Sequence, residues 1–198
     1  MRVPLLPEIE LELAADGVGL FDATGGYRSD VPPPFWAFAW PGGVALARYL
    51  LDHPDVVQGR EVVDLGSGSG VVAIAAALAG ATHVTAVDTD PEACTAAARN
   101  AAANGVTLAT AEEMPAADVV VAGDVFYSSA VVPSVLQTLR AIDGAVLVGD
   151  PGRGFLPERL FVAVAAYDVP VRRALEDEDV MRTTVWRLAT SSSASGPC

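Results

Sequence analysis

Hydrophobic and polar positions fall into two rhythms along this 198-residue chain. In 8–13, Glu8, Glu10 and Glu12 alternate strictly with Ile9, Leu11 and Leu13, which predicts a half-exposed strand. The stretch 17–21 is placed to fold back on it as a hairpin. Pro32, Pro33 and Pro34 forbid helix and keep the next segment extended. From there on, short apolar runs alternate with longer helical segments. Predicted strands cover 61–64, 82–87, 106–109, 118–122 and 145–148. Predicted helices cover 44–52, 70–79, 91–104, 129–141 and 157–167. Pro91 suits the first turn of its helix and Asp90 its cap. The stretches 169–174 and 183–188 read as a closing strand pair. Such alternation predicts a doubly wound α/β sheet. It forms one domain over 1–189, with a lead-in over 1–43 and a Rossmann-like core over 44–189. The Ser-rich stretch 190–198 reads as a disordered tail.

One stretch carries more chemistry than any other. Val62 to Gly70 reads Val-Val-Asp-Leu-Gly-Ser-Gly-Ser-Gly and leads into an apolar helical segment. Strand, glycine turn and helix in that order form the entry to a nucleotide site. Glycines there let the backbone turn sharply and approach a ligand closely. The dinucleotide fingerprint would need glycine at Val71 or Ala73, and no Gly-Lys-Ser/Thr follows to make a P-loop. Asp88 ends the next apolar run, about 20 residues past the turn, where a carboxylate reaches ribose hydroxyls.

A second cluster closes the fourth predicted strand: Gly123, Asp124, Val125, Phe126, Tyr127. Strand carboxyl ends face the ligand crevice of an open α/β sheet, so Asp124 and Tyr127 stand at the crevice. Phe126 reads as packing. Asp150, Pro151, Gly152 and Arg153 repeat the placement after the fifth strand. Arg153 is either a solvated loop charge or a group that orients a carboxylate, Asp124 among them. Trp36 and Trp40 sit in the Pro-rich lead-in, where they cap a cleft or pack on the first helix.

Charge narrows the partners. There are 25 acidic and 12 basic residues, a net charge of −13, which repels phosphate backbones and favours a cationic partner. The two cysteines, Cys94 and Cys198, are not placed for a structural disulfide. His53 and His83 are isolated, so no metal site is expected. With no membrane span or secretory signal in view, the expected setting is cytoplasmic.

The acidic-x-Gly-x-Gly turn resembles the first motif of class I S-adenosylmethionine-dependent methyltransferases. That resemblance implies a seven-stranded sheet with an antiparallel last strand. It also puts Asp64, Gly66, Ser67, Gly68 and Asp88 around the cofactor, with Glu112 the candidate for adenine. In amino DNA methyltransferases a pair of prolines follows the position of Asp124, and here there is none. The Asp-x-x-Tyr form is instead similar to seven-stranded lysine methyltransferases. A carboxylate there holds an incoming ammonium, and an aromatic face tolerates methylated nitrogen. The blocks Trp40-Pro41-Gly42-Gly43, Gly123-Asp124-Val125-Phe126-Tyr127 and Gly149-Asp150-Pro151-Gly152-Arg153 narrow the resemblance to the electron transfer flavoprotein beta-subunit lysine methyltransferase family. It spans about residues 2 to 188. It implies an enzyme that methylates lysine on a protein, read as a monomer or a weak associate, with Trp40, Gly66, Gly68, Asp88 and Asp124 serving the cofactor and Asp124 and Tyr127 the lysine. A small-molecule amine as substrate, and a non-catalytic cofactor-binding module, remain open alternatives.

Overall fold

The computed structural model describes residues 2–14, 34–172, 176 and 178–189. Its centre is a seven-stranded sheet in the order β5-β4-β3-β6-β7-β9-β8. The strands are β3 (Glu61–Leu65), β4 (His83–Val87), β5 (Ala109–Ala111), β6 (Val119–Gly123), β7 (Ala145–Asp150), β8 (Phe161–Pro170) and β9 (Val180–Leu188). Strands β3 to β7 pair in parallel, and β9 runs antiparallel between β7 and β8. This is the seven-stranded architecture expected from the sequence.

Period-two alternation sorts the strand residues onto two cores. Val119 and Val121 join the core under α1 (Pro41–Asp52), α2 (Val71–Leu78) and α3 (Pro91–Ala103). Val120 and Ala122 face the opposite core, which α4 (Val132–Arg140) covers through Leu139. Central strands buried on both faces explain the near-continuous apolar runs. The strand order reverses between β3 and β6, so the ligand crevice lies beyond their carboxyl ends.

Three differences from the sequence reading are the largest, and other edges shift by a few residues: α1 starts at Pro41, α4 at Val132, and the strand expected over 169–174 is replaced by β8, which ends at Pro170. The stretch 157–167 is not a helix. One 3-10 turn, Glu158–Leu160, leads into β8, which pairs with β9 from Phe161 to Pro170. Its alanines read as helical, but pairing along β9 overrides so weak a preference. The third strand starts at Ala109 rather than 106, because α3 ends in a Schellman turn. Gly105 there has φ 69°, and the amides of Gly105 and Val106 donate to the carbonyls of Ala102 and Ala101. The N-terminal hairpin is formed by β1 (Arg2–Val3) and β2 (Leu6–Glu10). The stretch 17–21, most of the proline run and the tail over 190–198 lie outside the described residues.

Candidate active site

The glycine loop leaves β3 through three left-handed residues, Gly66, Gly68 and Gly70, with φ of 68°, 52° and 81°. A Cβ on Gly70 would lie 2.9 Å from Ala97 Cα, so α3 packs where a side chain would go. Asp64 is buried beneath the loop. Its Oδ2 accepts from Ser67 Oγ at 2.8 Å and from the Ala73 amide at 3.0 Å, which folds the loop onto the start of α2. Burial drives the Asp64 carboxyl up to about 7. Ser67 and Asp64 therefore bond each other, and the cradle is formed by loop backbone.

Asp88 directly follows β4. Its Oδ2 accepts the Gly68 amide at 2.9 Å and its Oδ1 the Asp90 amide at 3.1 Å. The carboxylate stays partly exposed, with acceptor capacity left for a diol. The Asp88 amide donates to the Ala111 carbonyl at 3.2 Å, which brings Glu112 beside it at the end of β5. Glu112 is exposed. Trp36 runs over the loop: a Cβ on Gly68 would come within 3.6 Å of its Cα. Left-handed loop backbone, a partly free carboxylate and a neighbouring acid supply acceptors that suit the ribose hydroxyls and the adenine amine of S-adenosylmethionine.

On the other side of the switch point stands Asp124, only 9% exposed and in a left-handed conformation with φ 55°. Its Oδ2 accepts from the amides of Gly42 and Gly43 at the start of α1. Glycine makes that approach possible. A Cβ on Gly42 would run into the Asp124 carboxylate, and one on Gly123 would lie 2.6 Å from Gly43 Cα. Gly149 packs against Gly42 in the same way. The three glycine-bearing sequence blocks therefore meet at one crossing.

The other Asp124 oxygen, Oδ1, accepts from Arg153 Nε and Nη2, both at 3.0 Å. Arg153 also reaches Glu176 at 2.7 Å and lies 5.7 Å from the centre of the Trp40 ring. Burial lifts the Asp124 carboxyl to about 6, against the opposing pull of Arg153. Tyr127 is 52% exposed, its ring 6.0 Å from Phe35, which in turn sits 6.0 Å from Trp40. Trp40 is held by its Nε1 donating to the Phe35 carbonyl at 2.8 Å. Phe126 is fully buried against Phe161.

Gly66, Gly68, Asp88 and Glu112 thus stand on one side of the crevice, with Asp64 and Ser67 buried beneath the loop, and Trp40, Asp124 and Tyr127 stand on the other. Asp124 faces inward, with both oxygens engaged, while Tyr127 is the exposed group at that strand end. Three partners escaped the sequence reading. Glu176 lies in an acidic run where no position stands out. Asn100 donates to the Ser69 carbonyl at 2.8 Å and accepts the Glu12 amide at 2.7 Å, joining the N-terminal segment to the glycine loop. Asn104 holds Glu10 through its amide at 2.8 Å and its carbonyl at 2.6 Å. Two asparagines four apart on an alanine-rich helix were the available signal. Among the described residues no cluster of acids, cysteines or histidines could hold a metal ion, and no helix is long and apolar enough to cross a membrane.

Residues 45–127 match the ribosomal protein L11 methyltransferase family. The chain is 36% identical over 200 residues to the rat electron transfer flavoprotein beta subunit lysine methyltransferase, covering 92% of this chain and 77% of the relative. Among solved structures, the ribosomal protein L11 methylase of Lactobacillus delbrueckii subsp. bulgaricus superposes with a TM-score of 0.51 at 25% identity, over 73% of this chain and 78% of the other. The fold is also shared with SMU.776, solved with S-adenosylhomocysteine, at a TM-score of 0.55 and 11% identity, over 82% of this chain and 52% of the other.

Proposed function

This chain belongs to the electron transfer flavoprotein beta subunit lysine methyltransferase family, and from that membership we propose that it methylates lysine side chains on a protein, the electron transfer flavoprotein beta subunit foremost. It is an S-adenosylmethionine-dependent methyltransferase. Bound cofactor supplies a methyl group on a sulfonium, open to in-line attack by a lone pair. The turn at Gly66 to Gly68 and the Asp88 carboxylate would hold its methionine and ribose portions, and Glu112 its adenine.

The chain's own residues handle the amine. Tyr127 and Phe35 offer exposed aromatic faces at the crevice, where a methylated or charged nitrogen is attracted to the ring. Asp124 fixes the first turn of α1 and the Arg153 guanidinium, and so fixes the wall against which the amine aligns. Alignment is the larger part of such catalysis, with effective molarities of ~10⁵ M or more. The net charge of −13 draws a lysine-bearing surface and disfavours nucleic acid. The observation that carries the reading is the placement of the glycine loop and the Asp124–Tyr127 strand end on the two sides of one switch point.

The test is transfer of labelled methyl from S-adenosylmethionine to purified electron transfer flavoprotein beta subunit, wild type beside Asp124→Ala. All 12 basic residues of this chain, histidines aside, are arginine, so the enzyme has no lysine to label itself and any labelled lysine belongs to the substrate. Label on substrate lysine that is lost in the variant supports the proposal. Label that appears only when a small-molecule amine is supplied beside the protein, and never on the protein, would replace protein with small molecule as the substrate class.

A further inference from the structure

Two carboxylates and an indole ring enclose a cation beside the crevice, and the cation is the protein's own. Arg153 lies between Asp124 and Glu176 with Trp40 at its face. Its side chain is 22% exposed, and those of Asp124 and Glu176 are 9% and 12% exposed. Four chain segments meet at this guanidinium: the end of β6, the loop after β7, the connection from β8 to β9, and the lead-in to α1.

Such a cage would also accept a lysine ammonium, but the chemistry argues against that tenant. Methyl transfer needs the amine neutral, with its lone pair free. Two carboxylates at low exposure would hold the proton on the nitrogen, because nearby opposite charge stabilises the charged form. A guanidinium keeps its charge at every accessible pH, and its planar fork matches two carboxylates at once. Arg153 therefore suits the seat as a permanent counter-ion.

We propose that Arg153 is a positioning residue for methyl transfer: through Asp124 it sets the charge that the wall presents to the incoming amine, and it holds Glu176 beside the crevice. The inference rests on the amine-methylation reading above. The charged and polar groups facing Asp124 are Arg153 from the loop after β7, Asp150 at the end of β7, and the Gly42 and Gly43 amides of α1. Glu176 acts on it through Arg153. Asp150 is itself pushed up by burial, and its charge opposes that of Asp124. Arg153 is thus the one side-chain cation among these groups.

The experiment is the pH profile of kcat at saturating cofactor and protein substrate for wild type, Arg153→Gln and Arg153→Lys, with thermal melts alongside. In Arg153→Gln the acid-side limb should move up by about 1–3 pH units, the usual effect of one neighbouring opposite charge. Arg153→Lys should return it at least halfway. A lower kcat with the limb unmoved would make Arg153 a packing residue and overturn the inference. Should Arg153→Gln not fold, Arg153→Lys carries the test: an active enzyme with a limb raised by less than ~1 unit supports the charge role, and loss of activity with the limb in place overturns it. An inactive wild type would instead sink the methylation reading itself.

Discussion

Oδ2 of Asp124 accepts a hydrogen bond from the backbone amide of Gly42, 82 positions earlier in the chain. The N-cap of α1 is Trp40, which offers no side-chain acceptor. A helix start leaves its first amides without internal partners and carries partial positive charge. Asp124 supplies the missing acceptor from the end of β6, and so couples the lead-in with Trp36 and Trp40 to the reacting side of the crevice.

Asp124→Asn tests that coupling. The substitution keeps the shape but removes the charge, and turns an NH₂ toward either the α1 amides or Arg153. Charged hydrogen bonds contribute about 1.5–3 kcal/mol each, so the melting temperature should drop by roughly 4–10 °C. Methyl transfer should fall with it, while cofactor affinity, set across the crevice, stays within about threefold. Calorimetric titration and a melt on the same sample separate the two effects. Wild-type turnover in this variant would remove Asp124 from the site.

Gly123→Ala probes the same crossing by volume. Its Cβ would fall 2.6 Å from Gly43 Cα and 2.8 Å from Gly43 N, both backbone atoms with little room to yield. Helix α1 must then lift off β6. Overpacking of this kind costs about 1–3 kcal/mol, and the shift opens the Asp124–Gly42 contact directly. A variant that melts and turns over like wild type would mean that the helix start moves freely.

The uneven legibility of the sequence has a physical basis. The glycine loop and Asp88 were readable because each depends on local chain: a turn that needs glycine, and a carboxylate one βαβ step away. Strand β8 was not. Its run of Val162, Ala163, Val164, Ala165 and Ala166 suits either state, and only pairing with β9 decides. The Arg153–Glu176 pair was hidden for another reason. Glu176, Asp177, Glu178 and Asp179 are equivalent by composition, and selecting one requires the fold. Asp124 was legible as a strand-end acid but not in direction, because its inward turn depends on Gly42 and Gly43, 82 and 81 positions earlier.

Asp88→Ala should weaken cofactor binding by about 1–3 kcal/mol, or roughly 5- to 150-fold in Kd. Two losses combine: the acceptor for ribose hydroxyls and the acceptor that holds the Gly68 amide at 2.9 Å. Asp88→Asn retains an acceptor for Gly68 and should lie between the two. Titration of S-adenosylhomocysteine into each variant gives the order. Equal affinity across all three would remove the ribose from Asp88.

Asn100→Ala should act on two places at once. Asn100 is buried, and the loss strands both the Ser69 carbonyl and the Glu12 amide. The Ser69 carbonyl belongs to a buried residue and costs about 1–3 kcal/mol when left unsatisfied, while the amide of the exposed Glu12 can turn to water at smaller cost. Hydrogen exchange at Glu12 should accelerate and cofactor affinity should fall, although Asn100 lies on the outer side of the loop. Faster exchange with unchanged affinity would confine the residue to anchoring the N-terminal segment.

Asp64→Asn should stabilise the protein increasingly as pH rises. The folded-state carboxyl sits at about 7 against an ordinary 3.8, with burial the largest cause. Between those values the folded protein keeps a proton that the unfolded chain has released, so stability falls as pH climbs through the window. The contribution is fully present below about pH 4 and lost above about pH 7. Asparagine can accept from Ser67 and Ala73 through its carbonyl, and its NH₂ replaces Oδ1, which is buried and has no hydrogen-bond partner among the described residues. With no group to titrate, the variant should gain on wild type by about 1.4 kcal/mol per pH unit inside the window. From pH 5 to pH 7 the gap in melting temperature should widen by roughly 5–10 °C. Parallel melts across that range decide the matter. A constant gap would mean that Asp64 is already ionised in the folded protein at pH 5, and that its hydrogen bonds from Ser67 and Ala73 outweigh burial.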